Sequence, residues 1–191
     1  MLRLRGKTST DKPQIQGLPI LGVMDLGAPA LASTTAVHAA ITLPATGTTV
    51  VTTTITNPDV PRVATATGNA SGITGNVVLV GTDYFGNAAT DTIALSGSST
   101  VAGVVAFKTI TKITVPAKTN SSGDTAAIGT GTAIGMYKCL GAATQVVLGL
   151  LDRAVVAPTI TVSATAISGN TIDISSGTYN GTKHAVVLWY P

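Results

Sequence analysis

Asn76-Val-Val-Leu-Val-Gly-Thr-Asp-Tyr-Phe-Gly-Asn-Ala-Ala-Thr-Asp-Thr-Ile-Ala-Leu95 is the stretch that decides the fold class. Two runs, Asn76 to Gly81 and Ala88 to Leu95, flank the turn formers Thr82-Asp83-Tyr84-Phe85-Gly86-Asn87, and together they read as a β-hairpin. The same grammar continues on both sides of it. Short β-branched runs are punctuated by Gly, Asn, Asp and Pro at roughly ten-residue spacing, the pattern of a sandwich or barrel.

Upstream, Thr48 to Thr56 is expected as a strand ended by Asn57-Pro58-Asp59-Val60-Pro61, and Arg62 to Thr67 as the next. Downstream, Val104 to Val115 is long enough for one bent strand or two. Thr125 to Ile128, Gln145 to Leu151, Thr159 to Thr165, Thr171 to Ser175 and Lys183 to Trp189 complete the set. Asn180-Gly181 carries the strongest turn signal, because both central residues of a type I′ turn take positive φ. Trp189 and Tyr190 are expected to close the core. Helix is nearly absent: Ala28 to Ala40 and Ala133 to Leu140 are the only candidates, and Gly135 weakens the second.

Residues 1 to 40 are broken by Pro13, Pro19, Pro29 and the Gly27-Ala28 step and show neither a helical nor a strand period. They read as an extended N-terminal arm. The expected architecture is therefore all-β, with an arm over residues 1–40 and a β-sandwich or jelly-roll-like body over residues 41–191.

Composition agrees with a β body and adds a statement about the surface. Charged residues are 10% of the 191, against about 25% in ordinary globular proteins, while hydrophobic residues stand at 45%. The deficit lies on the surface, where Thr, Ser, Ala and Gly replace Lys and Glu; Glu does not occur at all. A lone molecule so poor in charge is badly protected against association, so much of this surface is expected to be covered by neighbours. The net charge of +3 belongs to the arm, where Arg3, Arg5, Lys7 and Lys12 stand against Asp11. Four such charges make a weak footprint for a polyanion, and no basic stripe with aromatic platforms is visible, so nucleic acid is not an expected partner.

The single cysteine, Cys139, excludes an intrachain disulfide. The apolar run Leu18 to Met24 followed by Ala30-Leu31-Ala32 mimics a leader peptide, but Pro19, Gly22, Asp25 and Pro29 interrupt it, and no leader is expected. Nor is a membrane expected as a partner: the closest approach to an apolar span, Val146 to Ala157, is split by Asp152 and Arg153.

Thr54-Ile-Thr-Asn-Pro-Asp-Val-Pro-Arg62, Thr67-Gly-Asn-Ala-Ser-Gly72 and Gly75 to Asn87 form a set that resembles small virion structural proteins of tailed phages. The resemblance continues through Thr90-Asp-Thr-Ile-Ala-Leu95, Ala106-Phe-Lys-Thr-Ile110 and Ile128-Gly-Thr-Gly131, covering residues 54 to 140. It implies a non-enzymatic capsid decoration, or cement, protein on the outer surface of the head. The implied partners are the major capsid protein and sister copies in a homotrimer, and the implied location is the virion after synthesis in the host cytoplasm. The assembly contacts are expected in the arm, at Arg3, Arg5, Lys7, Lys12, Ile15, Leu18, Ile20 and Leu21. A tail, neck or fibre component is the alternative within the virion. A carbohydrate-binding adhesive module is the alternative outside it, although Trp189, Tyr84, Phe85, Tyr137 and Tyr179 are a thin supply of stacking surfaces.

Chemistry finds little to work with. His38 and His184 are the only histidines, one in the arm and one beside the last strand, and nothing local suggests a Ser or Cys nucleophile paired with either of them and an orienting Asp. Two His, one Cys and scattered Asp lack zinc spacing, and Asp83 with Asn87 is a hairpin turn before it is a calcium loop. Gly129-Thr-Gly131-Thr-Ala-Ile-Gly135 is not a dinucleotide fingerprint, its third Gly falling one place late. No catalytic residue, metal ligand or cofactor is expected.

Overall fold

The computed structural model describes residues 21–190, which form an all-β body of antiparallel sheets. The strands are β1 (Gly22–Asp25), β2 (Ser33–Thr42), β3 (Thr49–Val51), β4 (Arg62–Gly68), β5 (Thr74–Thr82), β6 (Ala88–Ser96) and β7 (Val101–Phe107). They continue as β8 (Thr109–Val115), β9 (Thr125–Gly135), β10 (Val146–Leu151), β11 (Ala154–Val156), β12 (Thr159–Thr161), β13 (Thr171–Asp173) and β14 (Ala185–Trp189).

One sheet runs β3-β8-β5-β6, built outward from the hairpin that the sequence announces. Along β6 every second residue is buried, the period of a strand with one face on a core. A second sheet runs β12-β13-β9-β4-β7, with β2 also paired to β9. Between these sheets lies the larger core, where Val77, Leu79, Ile93 and Ile113 meet Ala64, Ala66, Val37 and Ile128. The two sheets are also tied at one side. Asp91 on β6 accepts the amides of Val104 and Val105 on β7 at 2.8 Å and 3.1 Å, and Gly103 leaves room for that carboxylate, since a Cβ there would overlap it.

The third sheet, β1-β14-β10-β11, covers the far end of the second one. Met24, Leu151, Ala185 and Val187 from this sheet pack with Ile134, Ile172, Ile174 and Tyr179 in a smaller core. Strand β9 belongs to both cores, giving Ala126 and Ile128 to one and Ile134 to the other.

Three expectations need correction. The arm was placed at residues 1–40, yet β1 pairs with β14 and β2 pairs with β9, so residues 22–25 and 33–42 belong to the body. Mostly exposed β2 buries only Val37 and Ile41, which hides its strand period from a composition reading. The helix candidates at Ala28 to Ala40 and Ala133 to Leu140 are instead β2, the end of β9 and an irregular turn. The type I′ turn falls elsewhere as well. Asp152 and Arg153, at φ 51° and 68°, join β10 to β11, whereas at Asn180-Gly181 only Gly181 has positive φ and the Asn180 side chain accepts the amides of Thr182 and Lys183. The region from Val104 to Val115 resolves into two strands, and Trp189 packs against the smaller core.

Candidate assembly surface

Of the eight residues expected to make assembly contacts, Arg3, Arg5, Lys7, Lys12, Ile15, Leu18 and Ile20 lie outside the described residues. Leu21 lies inside them, 38% exposed, immediately before β1. Sequence reasoning missed what stands next to it.

The turn between β5 and β6 holds Tyr84 and Phe85 at its tip. Asp83 fixes the turn, because its carboxylate accepts the amides of Phe85 and Asn87 at 2.9 Å each, and Gly86 supplies the φ of +87° that the return requires. Tyr137 comes from the segment after β9, and its ring centroid lies 5.2 Å from that of Tyr84, which in turn meets Phe85 edge-on at 5.0 Å. The Tyr137 hydroxyl donates to the carbonyl of Val23 on β1 at 3.3 Å. Partial burial, together with Tyr84, raises the Tyr137 phenol above its ordinary value. These aromatics and Val23 form a ledge facing solvent: Phe85 is 61% exposed and Val23 62%. Lys108 stands over the Tyr84 ring at 5.5 Å, and Lys138 over Trp189 at 4.1 Å, so cations rim the ledge. The turn chemistry at Asp83 to Asn87 was legible in sequence; the meeting of Tyr84 with Tyr137, 53 positions later, was not.

A buried polar node lies where the two cores adjoin, at Arg62, whose strand neighbours Phe107 and Ile134 belong to the larger and the smaller core. Arg62 is fully buried; its Nε donates to the Gly131 carbonyl at 2.8 Å and a second guanidinium nitrogen donates to the same oxygen. Its remaining nitrogen reaches the Ala30 carbonyl and the Asp59 carboxylate, each at 3.1 Å. The Tyr179 ring lies 5.9 Å below, and burial pushes the Tyr179 phenol up to about 12. Burial alone would raise Asp59 too, but the Ala30 amide and the Arg62 cation outweigh it and hold this carboxyl below its ordinary value. Asp173 is held low in the same way, its burial offset by Ser175, by the Thr132 hydroxyl at 2.5 Å and by Arg62.

The outer face of the second sheet carries two adjoining shallow depressions, lined with small residues such as Ser33, Thr65, Ala102 and Thr132. At about 260 and 220 Å³ each falls short of the ~300 Å³ at which small-molecule sites begin.

His184 lies 3.1 Å from Asp25 in an exposed pair that links the ends of β14 and β1. His38 sits on β2. Among the described residues no three His, Cys, Asp or Glu side chains gather as a metal site. No protein family, curated protein or solved structure matches the chain.

Proposed function

We propose that this chain is a non-enzymatic structural protein of a phage virion, a decoration protein that binds the outer surface of the head and stabilises the shell. Its partners in this reading are the major capsid protein and sister copies, taken as a homotrimer. The observation that carries the reading is a surface that needs covering. A chain with 10% charged residues exposes Val23, Leu31, Phe85, Val104 and Val155, each above 60%. Large apolar side chains in water on a surface so short of charge leave it poorly protected against association, and a covering neighbour would take them out of water. The resemblance of residues 54 to 140 to tailed-phage virion proteins supplies the class of assembly. In this reading the basic residues Arg3, Arg5, Lys7 and Lys12 reach an acidic surface of the shell.

The test is removal of the contacts without damage to the body. Because β1 begins at Gly22 and β2 covers residues 33–42, a deletion of residues 1–40 would strip strands from two sheets. A chain beginning at Leu21 keeps every described strand. Added to particles that lack the protein, it is expected to show near-native circular dichroism and at least about a tenfold loss of occupancy, the size set by losing four charges and three apolar contacts. Undiminished occupancy would contradict the role given to the arm.

A further inference from the structure

We propose that β11 of one copy adds to the edge of β1 in the next, so that the third sheet continues from subunit to subunit. This deepens the sister-copy part of the assembly reading and rests on it only in taking the chain to be a homo-oligomer; it needs no capsid.

Strands β1 and β11 are the two edges of the sheet β1-β14-β10-β11, and every neighbouring pair in it is antiparallel. The two edges therefore run in opposite directions, and a second copy placed alongside in the same orientation brings its β11 antiparallel to β1. Neither edge carries the lysine or proline that commonly blunts such strands: they read Gly22-Val-Met-Asp25 and Ala154-Val-Val156. The pair Leu151 and Ala154 closes the turn at Asp152-Arg153, so the N–H and carbonyl of Val155 point away from β10. On β1, the Leu26 amide donates to Ala185 on the β14 side, and the two-residue alternation then turns the backbone groups of Val23 and Asp25 outward. Among the described residues, the hydrogen bond reaching the outward groups of Val23 is that of the Tyr137 hydroxyl, long at 3.3 Å and easily exchanged for an amide.

One register suits both edges, and charge chooses it. Val23 set opposite Val155 places Asp25 opposite Arg153. The faces agree: within the sheet Asp25 lies opposite Val186, Val186 opposite Leu150 and Leu150 opposite Val155, so Asp25, Val155 and Val23, two residues before Asp25, share the face turned away from the smaller core. A slip of one residue would set Val23 against the inward side chains of its partner strand. The two valines are 62% and 68% exposed, and pairing them takes both out of water. Arg153 is exposed and makes no ion pair among the described residues, and the partner of Asp25 is the exposed His184. The aromatic ledge adds the area that a three-residue strand lacks, because Tyr137 reaches across the same edge and carries Tyr84 with it. Opposite edges meeting head to tail make a heterologous contact, the kind that closes into a ring of copies.

Disulfide trapping of the isolated protein tests the contact without any particle. Val23→Cys is combined with Val155→Cys in a Cys139→Ser background and oxidised. Within one chain the two edges stand three strand spacings, about 14 Å, apart, beyond the reach of a disulfide. Paired across two copies, their Cα atoms come to about 5.5 Å, a separation that a disulfide spans. The control pair is Val50→Cys with Val155→Cys, since Val50 is 54% exposed on β3, in another sheet. The expected result is covalent species of three or more chains, forming about tenfold faster than in the control, as proximity gives. Faster dimer formation by either single-cysteine variant would mean that like edges meet, and equal rates in both pairs would mean that no edges do; either overturns the proposal. As a check free of new cysteines, Asp25→Arg and Arg153→Asp are each expected to weaken self-association about fivefold in sedimentation equilibrium, and the double variant to restore it. A double variant no better than the singles would also overturn it. Failure of the capsid reading would leave these outcomes untouched.

Discussion

Arg62 shows how one residue can organise two cores. Its guanidinium satisfies two carbonyls, at Gly131 and Ala30, and faces the Asp59 carboxylate from a position with no solvent access. Removing one member of such a set leaves the others buried without partners, which costs more than the ion pair contributes. Arg62→Met is expected to lower stability by about 3 kcal/mol, read as a reduced urea midpoint. A loss under ~0.5 kcal/mol would mean that water replaces the guanidinium. The carboxylates set the response to acid. Asp59, Asp173, Asp124 and Asp25 all titrate below the ordinary 3.8 in the folded chain. For Asp124 burial is outweighed by the amides of Ser121 and Asn120, and for Asp25 the Gly27 amide leads. Groups with depressed folded values stabilise the fold above their unfolded value and lose that contribution as pH falls through the folded one. Stability should therefore be flat with respect to these groups near neutral pH and decline as pH drops below about 4. Asp173→Asn should flatten that decline, as measured by chemical unfolding across the acid range.

At the scale of elements, the hairpin from Asn76 to Leu95 was legible because its turn chemistry and both strands are local in sequence. The observed β5 and β6 extend the expected runs by a few residues only. Strand β9 was legible only to Ile128, because Gly129, Gly131 and Gly135 resemble a loop; their lack of a Cβ is what admits β2 and the Val63 and Ala106 side chains beside them. Strands β1 and β2 were not legible, since each pairs with a strand more than 80 positions away and buries few side chains. The turn at Asp152-Arg153 was read as an interruption of an apolar run, and it is the sharper case of a rule applied at the wrong place. Both residues hold left-handed backbone without being glycine, which costs about 1 kcal/mol or more at each. Arg153→Gly relieves one of them and keeps the favoured Asp-Gly form of the turn. Its expected effect is a gain of about 0.5 kcal/mol, the strain relief reduced by the added freedom of the unfolded chain. A thermal midpoint at or below that of the parent chain would show that the Arg153 side chain contributes contacts that outweigh the strain.

At the scale of the whole molecule, the sequence established an all-β body poor in charge, and the structure adds where its apolar surface lies. The candidate surface was only half legible. Its basic and apolar arm residues could be named one by one, but the ledge of Tyr84, Phe85 and Tyr137 exists only once β5, β6 and β9 have folded together. The body sets the geometry in which such a surface could act: a two-core β scaffold tied by Asp91 and Arg62, with the chain entering beside the ledge at Leu21. In the function proposed above, this scaffold would serve as a covering protein of a capsid. Cryo-electron microscopy of purified particles, prepared with and without the protein, tests it most directly. Added density over the outer face of the capsomers, of a size to hold this β body, is expected, together with lower heat resistance of the particles that lack the protein. Density confined to the tail or neck, or no difference between the two preparations, would contradict it.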